Sequence, residues 1–289
     1  MEEPKKISNS NEEIKEEVIS KGRKILKISF GVCLVLFVFS GYRLVKYKLD
    51  ANANRKILEN ISKSIEIDET VPEITYDNLD TFIGANSENE DTLGNRQEEV
   101  TVKSRYKINF DELKEQNLDA AGFLKVRGKD IEFVVVQTVD NDYYLRHNFE
   151  KDYNKAGWIF ADYRNELDGS DRNIVVYGHN MLNGSMFSTL SNVLEKSWQE
   201  EINNRFITFI TPSGTEIYEV FSVYQTEDSS YYTQTDFTES TFQEYIKTIL
   251  SKSFYDFETV VNMNDQLLTL VTCGRSNSNR VIVHAKRLK

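Results

Sequence analysis

The chain has 289 residues, enough for one sizeable domain plus extras. Its net charge is −11, with acidic residues spread along its length, which argues against the basic face that nucleic-acid binding requires. Aromatic residues make up 12% and supply material for a real core. Residues 1–24 open the chain as a tail, polar and charged through residue 20 and expected to be disordered and cytoplasmic. Next comes the most apolar run, Ile25 to Tyr42, about long enough to span a bilayer as a helix. Its one interior charge, Lys27, is near the end and can snorkel. No small-x-small cleavage site follows Phe39, so the segment 25–45 reads as an uncleaved transmembrane anchor rather than a signal peptide. Lys21, Arg23, Lys24 and Lys27 precede the run, and Arg43, Lys46 and Lys48 follow it. This slight bias puts the N-terminus in the cytoplasm and the bulk of the chain outside, as a single-pass membrane protein.

Residues 46–104 read as an extracellular stalk or linker. The first part has helix-compatible composition. From about Ser64 to Val102 the chain is acidic and poor in apolar clusters, as in Asn86-Ser-Glu-Asn-Glu-Asp91. A folded domain is expected over 105–289. Asn109 with Glu112 three residues on marks a helix start, and Phe110, Leu113 and Leu118 would form its buried side. Strand signals follow at Phe123–Val126, a turn at Gly128-Lys-Asp130, and strands at Ile131–Gln137, Trp158–Tyr163 and Asn173–Tyr177. Met186–Leu194 is helix-like. Phe206–Thr211 and Glu216–Tyr224 flank Pro212-Ser-Gly-Thr215, a hairpin signal. Phe242, Tyr245, Ile246, Ile249 and Leu250 share one face of an amphipathic helix over about 237–253. Two last strands, Leu267–Thr272 and Val281–Val283, flank a loop of Gly, Ser and Asn. The sum is a mostly antiparallel β structure, a barrel with helices added.

The chain has two cysteines, Cys33 inside the apolar run and Cys273 at the end of a strand. Outside the cell Cys273 has no intrachain partner, so it is either an intermolecular disulfide or a working thiol. Arg280 opens the next strand. If the two strands pair, a guanidinium lies near the thiol, favouring thiolate and able to stabilise an oxyanion. A buried structural cysteine and a surface arginine remain the alternative. A cysteine nucleophile needs an acid/base partner, usually histidine. His179 sits where a strand ends at Gly178, His284 lies within a strand as a packed or edge residue, and His147 lies in a polar, aromatic loop. Spacing alone does not choose among them. One cysteine and three scattered histidines give no zinc spacing, and no phosphate-cradling glycine loop is present.

The segment Thr269-Leu-Val-Thr-Cys273, followed by Arg280 at the head of Val-Ile-Val-His-Ala-Lys286, resembles the signature of sortases, membrane-anchored cysteine transpeptidases of Gram-positive bacteria. Asn173-Ile-Val-Val-Tyr-Gly-His179-Asn-Met-Leu-Asn-Gly-Ser-Met-Phe187 is similar to the histidine segment of class B sortases. Asn117 to Phe123, Asp140 to Leu145 and Gly157 to Asn165 also fit. The likeness runs from about Arg105 onward. It implies an eight-stranded sortase-type β-barrel preceded by an N-terminal transmembrane helix. It also implies Cys273 as nucleophile, His179 as general acid/base, and Arg280 as the group that orients substrate and stabilises the oxyanion. The reaction would cleave a Pro-x-Thr-type sorting signal of a surface protein after Thr through a thioacyl enzyme. Transfer would follow to a peptidoglycan-precursor amine or a pilin lysine, with no cofactor needed. Thr272, Asn180 and Tyr177 are expected to contact substrate. The sequence departs from the class B pattern in having Val271 where Ser is common and Gly274 where an acid often follows the cysteine. It also has a short Cys-to-Arg loop in which Arg275 rivals Arg280. Two other classes stand beside this reading: another extracytoplasmic cysteine enzyme, whose papain-like or L,D-transpeptidase motifs are missing here, and a non-enzymatic stalked receptor or adhesin.

Overall fold

The computed structural model of the chain describes residues 4–83, 104–129, 131–228, 231–273 and 279–288, with backbone alone at 4–20, 25 and 273. The chain divides into two units, residues 1–50 and 51–289. Most of the first unit belongs to a long helix, α1 (Pro4–Ile61). Part of the tail expected to be disordered is therefore helical. Its run of Glu, Lys and Ile residues has favourable helix propensity, which outweighs the polarity that suggested disorder. The apolar stretch of α1 is long and apolar enough to cross a membrane, by length and composition. Its large side chains are exposed, Phe37 at 77% and Phe30 at 70%.

In the second unit, residues 51–83, which fall within the range expected for a stalk, pack as part of the folded body. Asn54, Ile57 and Ile61 of α1 are buried. A short strand β1 (Ile65–Ile67) pairs with β2 (Tyr106–Ile108), and a short helix α2 (Leu79–Ile83) comes between them in sequence. Val71 and Phe82 cluster with Phe206 and Ile217 on the barrel wall. Glu73 ties this segment down by ion pairs of 3.4 Å to Arg105 and 3.6 Å to Arg127. The segment reads as acidic in sequence because few apolar residues suffice when a sheet already offers them a face. The acidic run 84–103 lies outside the described residues.

Helix α3 (Phe110–Gln116) starts where expected, with Asn109 accepting a bond from the Glu112 amide at 3.2 Å. Leu113 is fully buried, but Leu118 is 81% exposed, because the helix ends at Asn117, before Leu118 can share its face. The barrel follows: β3 (Ala120–Val126), β4 (Ile131–Val136), β5 (Phe160–Ala161), β6 (Asn173–Gly178), then α4 (Lys196–Glu200), β7 (Phe206–Thr211), β8 (Gly214–Thr226), α5 (Glu239–Lys252), β9 (Leu267–Cys273) and β10 (Arg280–Arg287). The eight strands β3–β10 close in the order β10-β8-β7-β3-β4-β5-β6-β9. Most of the barrel's strand pairings are antiparallel, as expected, and two are parallel, β4 with β5 and β6 with β9. Gly128, at φ +68°, makes the turn between β3 and β4, and Asp130 of that turn lies outside the described residues. The expected strand Trp158–Tyr163 shortens to β5, since Trp158 turns its indole to the Val134 carbonyl at 2.8 Å. The helix-like stretch after Met186 is a 3-10 helix, Ser188–Leu194.

Alternation along the strands sorts side chains onto two faces. Val176, Leu268, Leu270, Val281 and Val283 join the main core. Val175, Leu267, Val271 and Ile282 face the other way, against Phe242, Tyr245, Ile246 and Ile249 of α5. This helix matches its expected face except for Leu250, which is 39% exposed at the rim.

Candidate active site

The site is built from strand ends. In β6 the buried run Asn173–Val176 is β-branched at three of four positions, and so holds a central strand whose two neighbours are β5 and β9. Its parallel register with β9 pairs Tyr177 with Val271 and Gly178 with Thr272. One step further along these strands come His179 and Cys273. On the other side of β9, antiparallel β10 pairs Arg280 directly with Cys273 and Val281 with Thr272. The end of β6 and the distant β9–β10 connection thus place the backbones of His179, Cys273 and Arg280 at one end of the barrel. Arg275, the alternative arginine, lies outside the described residues.

His179 is half-buried, and its Nε2 lies 2.9 Å from the Leu145 carbonyl. A carbonyl only accepts, so Nε2 carries the proton and Nδ1 is left as the nitrogen that can exchange one. That carbonyl is itself held firmly. Asp140 Oδ1 accepts the amides of Asp142 and Tyr143, each at 2.8 Å, and starts the short 3-10 turn Tyr143–Leu145. The Tyr144 hydroxyl donates to Asp119 at 2.7 Å, and the Trp158 amide donates to the Tyr144 carbonyl at 3.0 Å. Behind the histidine, Gly178 admits no side chain. A Cβ there would come within 2.5 Å of Ile159 Cδ1 and 2.6 Å of the Phe187 ring. The loop after His179 folds back on itself through the Phe187 amide, which donates to the His179 carbonyl at 2.9 Å.

Tyr177 donates its hydroxyl to Asp162 at 2.8 Å. Asp162 is fully buried and also accepts the Arg164 guanidinium through two bonds, at 2.8 and 2.7 Å, and the Asn141 amide at 2.9 Å. Burial alone would raise the Asp162 carboxyl, but the Arg164 fork outweighs it and holds the group below the ordinary carboxylate range. Burial, with Asp162 adding to it, pushes the Tyr177 phenol well up, so it stays a donor. Asn180, half-buried, donates to the Ser191 hydroxyl at 3.3 Å. Thr272 is 1% exposed, and its hydroxyl has no hydrogen-bond partner among the described residues.

The other two histidines are occupied elsewhere. His284 is fully buried opposite Thr269. Thr269 donates its hydroxyl proton to Asn173 at 2.7 Å, so it accepts from His284 Nδ1 at 2.8 Å, and Nε2 accepts from the Tyr224 hydroxyl at 2.8 Å. Burial pushes this imidazole down to about 3. His147 stacks on Tyr143 at 4.0 Å and donates from Nδ1 to the Tyr143 carbonyl at 2.7 Å. Sequence reasoning missed the roles of Leu145, Asp162 and Arg164. Leu145 acts through its backbone, which no side-chain pattern reports. The Asp-Tyr-Arg triplet could have been found as an acid and a base two residues apart beside a strand.

A family profile described as the sortase domain matches residues 124–288, more than half of the chain. The chain belongs to the sortase family. Sortase B of Listeria monocytogenes is 35% identical over 193 residues, 65% of this chain and 77% of that protein. Sortase B of Staphylococcus aureus is 26% identical over 92% of this chain and 98% of its own length. Among solved structures, Clostridium perfringens sortase B superposes with a TM-score of 0.59 at 37% identity, covering 62% of this chain and all of that one. A Bacillus anthracis sortase B complexed with AAEK1 gives a TM-score of 0.64 at 30% identity, covering 83% and 99%. This is a class B sortase, a cysteine transpeptidase, and the eight-stranded barrel is that of its relatives.

Proposed function

We propose that Cys273, His179 and Arg280 are the catalytic residues of this sortase, and that it cleaves a Pro-x-Thr-type sorting signal after Thr. The observation that carries the reading is the pair of registers Gly178–Thr272 and Cys273–Arg280, which gathers the three at one barrel end. The Cys273 thiolate attacks the threonine carbonyl carbon, and the electron pair moves to oxygen. Arg280 stabilises that oxyanion with its planar fork of donors. His179 Nδ1, which takes up the thiol proton as the thiolate forms, delivers that proton to the departing amine as the C–N bond breaks, leaving a thioester on Cys273. An acceptor amine then attacks, His179 takes its proton, and the thiolate leaves as the new amide forms. The proposed acceptor is a cell-wall amine or a pilin lysine. Tyr177 and Asn180 flank the histidine and are proposed to line the substrate path. The burial of Thr272 favours a supporting role beneath the strand end rather than the substrate contact expected from sequence. The helix spanning 25–45 is proposed as a single-pass anchor with the catalytic domain outside.

Two solved structures of Staphylococcus aureus sortase B, each at 32% identity, support the chemistry by analogy: one is a substrate complex and the other is complexed with MTSET. The test incubates the full chain in detergent micelles with a library of Pro-x-Thr-x peptides, with and without an added amine, and looks for acyl adducts by mass spectrometry. The expected result is a thioacyl adduct on Cys273 after Thr, resolved by the amine and absent in Cys273→Ala. No adduct on any peptide, from a folded chain whose Cys273 resists a methanethiosulfonate reagent, would replace this reading with the receptor one.

A further inference from the structure

We infer that Asn54, in the last turns of α1, is a positioning residue for His179. The inference rests on the acid/base reading of His179 above, and follows a short chain of contacts. An asparagine inside a helix has poor propensity, and a buried one adds a desolvation cost. Asn54 is 2% exposed, between the buried Ile57 and Ile61 turns and the barrel, where an apolar residue would make the better packing surface. Both polar atoms of its side chain are instead bonded. Oδ1 accepts from Asn154 Nδ2 at 2.7 Å, and Nδ2 donates to the Gly157 carbonyl at 3.3 Å. Asn154 is equally buried, at 2% exposed, and its own Oδ1 accepts the Ala156 amide at 2.9 Å.

The segment gripped by these two asparagines is the one that fixes the Leu145 carbonyl. The Asn154 amide donates to the Arg146 carbonyl at 2.8 Å, and the Trp158 amide to the Tyr144 carbonyl at 3.0 Å. Gly157 adopts φ +58°, and a Cβ there would stand 2.3 Å from the Tyr144 oxygen and 3.0 Å from the Leu145 carbonyl carbon. Backbone thus lies directly on backbone, on both sides of Leu145. The Leu145 carbonyl, left out of this clasp, is the one that accepts from His179 Nε2. Asn54 therefore sets the loop, the loop sets the carbonyl, and the carbonyl selects the tautomer that presents Nδ1 for proton transfer. A small displacement at a proton-transfer group is enough to slow turnover by an order of magnitude or more.

The experiment uses the full chain in detergent micelles with 15N-labelled histidine. Three histidines give few signals, and His179→Gln assigns its own. In the wild type, His179 is expected in the form protonated at Nε2. In Asn54→Ala and in Asn154→Ala, that signal is expected to move to a tautomer mixture, while the His284 signal, from the barrel wall, stays in place. On the peptide found by the library, kcat per titrated thiol is expected to fall about tenfold in each variant with KM within about twofold, and the double variant to fall no further than either. Ile57→Val, which trims packing in the same turn, is expected to lower the unfolding temperature and leave kcat unchanged. An Asn54→Ala enzyme with the wild-type His179 signal and wild-type kcat overturns the inference. So does a loss of kcat that Ile57→Val reproduces at equal loss of stability. A wild type that transfers no peptide yet keeps the Nε2 signal defeats the functional reading instead, and the imidazole spectra of the two variants still decide the positioning role.

Discussion

A proton added to His284 would have to enter a buried wall of the barrel and break the bond in which Nε2 accepts from Tyr224. Burial holds the folded value at about 3 against an ordinary 6.5. Below about 6.5 the unfolded chain gains a proton that the folded chain cannot. Stability is therefore full above that pH and falls as pH drops through the window toward about 3, by up to ~1.4 kcal/mol per pH unit. Urea unfolding at about pH 7 and about pH 5 should show this loss in the wild type and a flatter profile in His284→Gln. Gly178 makes the second residue-scale case. Gly178→Ala pushes a methyl into Ile159 and Phe187, so it should cost about 1–3 kcal/mol and displace the loop that begins at His179. A fall in both unfolding temperature and kcat checks it; wild-type values for both would mean the rings yield easily.

Helix α5, read from the sequence by its periodicity alone, begins on a capping box that is a clean target. The Thr238 hydroxyl accepts the Thr241 amide at 3.2 Å, and the Thr241 hydroxyl accepts the Thr238 amide at 2.9 Å. Thr238→Ala should destabilise the fold by about 1 kcal/mol, read by urea unfolding. The same element shows why periodicity is legible: Phe242, Tyr245, Ile246 and Ile249 repeat at helical spacing because a single flat surface receives them. Strand β5 was only partly legible, since its residues are apolar without alternation and only Phe160 and Ala161 find strand partners. Parallel pairing of β6 with β9 was not legible either, because a strand's own pattern does not name its neighbour. For the site, the resemblance in sequence marks Cys273, His179 and Arg280, the side chains proposed to carry the chemistry. It is silent on Leu145, whose contribution is a carbonyl common to every residue.

At the scale of the molecule, the barrel depends on chain that precedes its first strand. Ile57, Ile61, Val71 and Phe82 are all buried in the body formed by residues 51–289. Burial of each such side chain contributes about 1.5–3 kcal/mol. A chain beginning at Arg105 should therefore unfold roughly 10 °C or more below the full chain, by thermal scanning in the same detergent. Equal unfolding temperatures would mean that residues 51–83 only rest on the barrel. The parallel pairing of β6 and β9 also sets an order of events. Asn173 meets Leu267 across nearly a third of the chain, and closing so long a loop delays the contact relative to the local hairpins. Strands β9 and β10 follow every other strand in sequence. During synthesis, β6 and its histidine emerge before β9 and wait without it. A chain interrupted before β9 lacks Cys273 altogether, so the proposed nucleophile meets His179 only at the closure that completes the barrel.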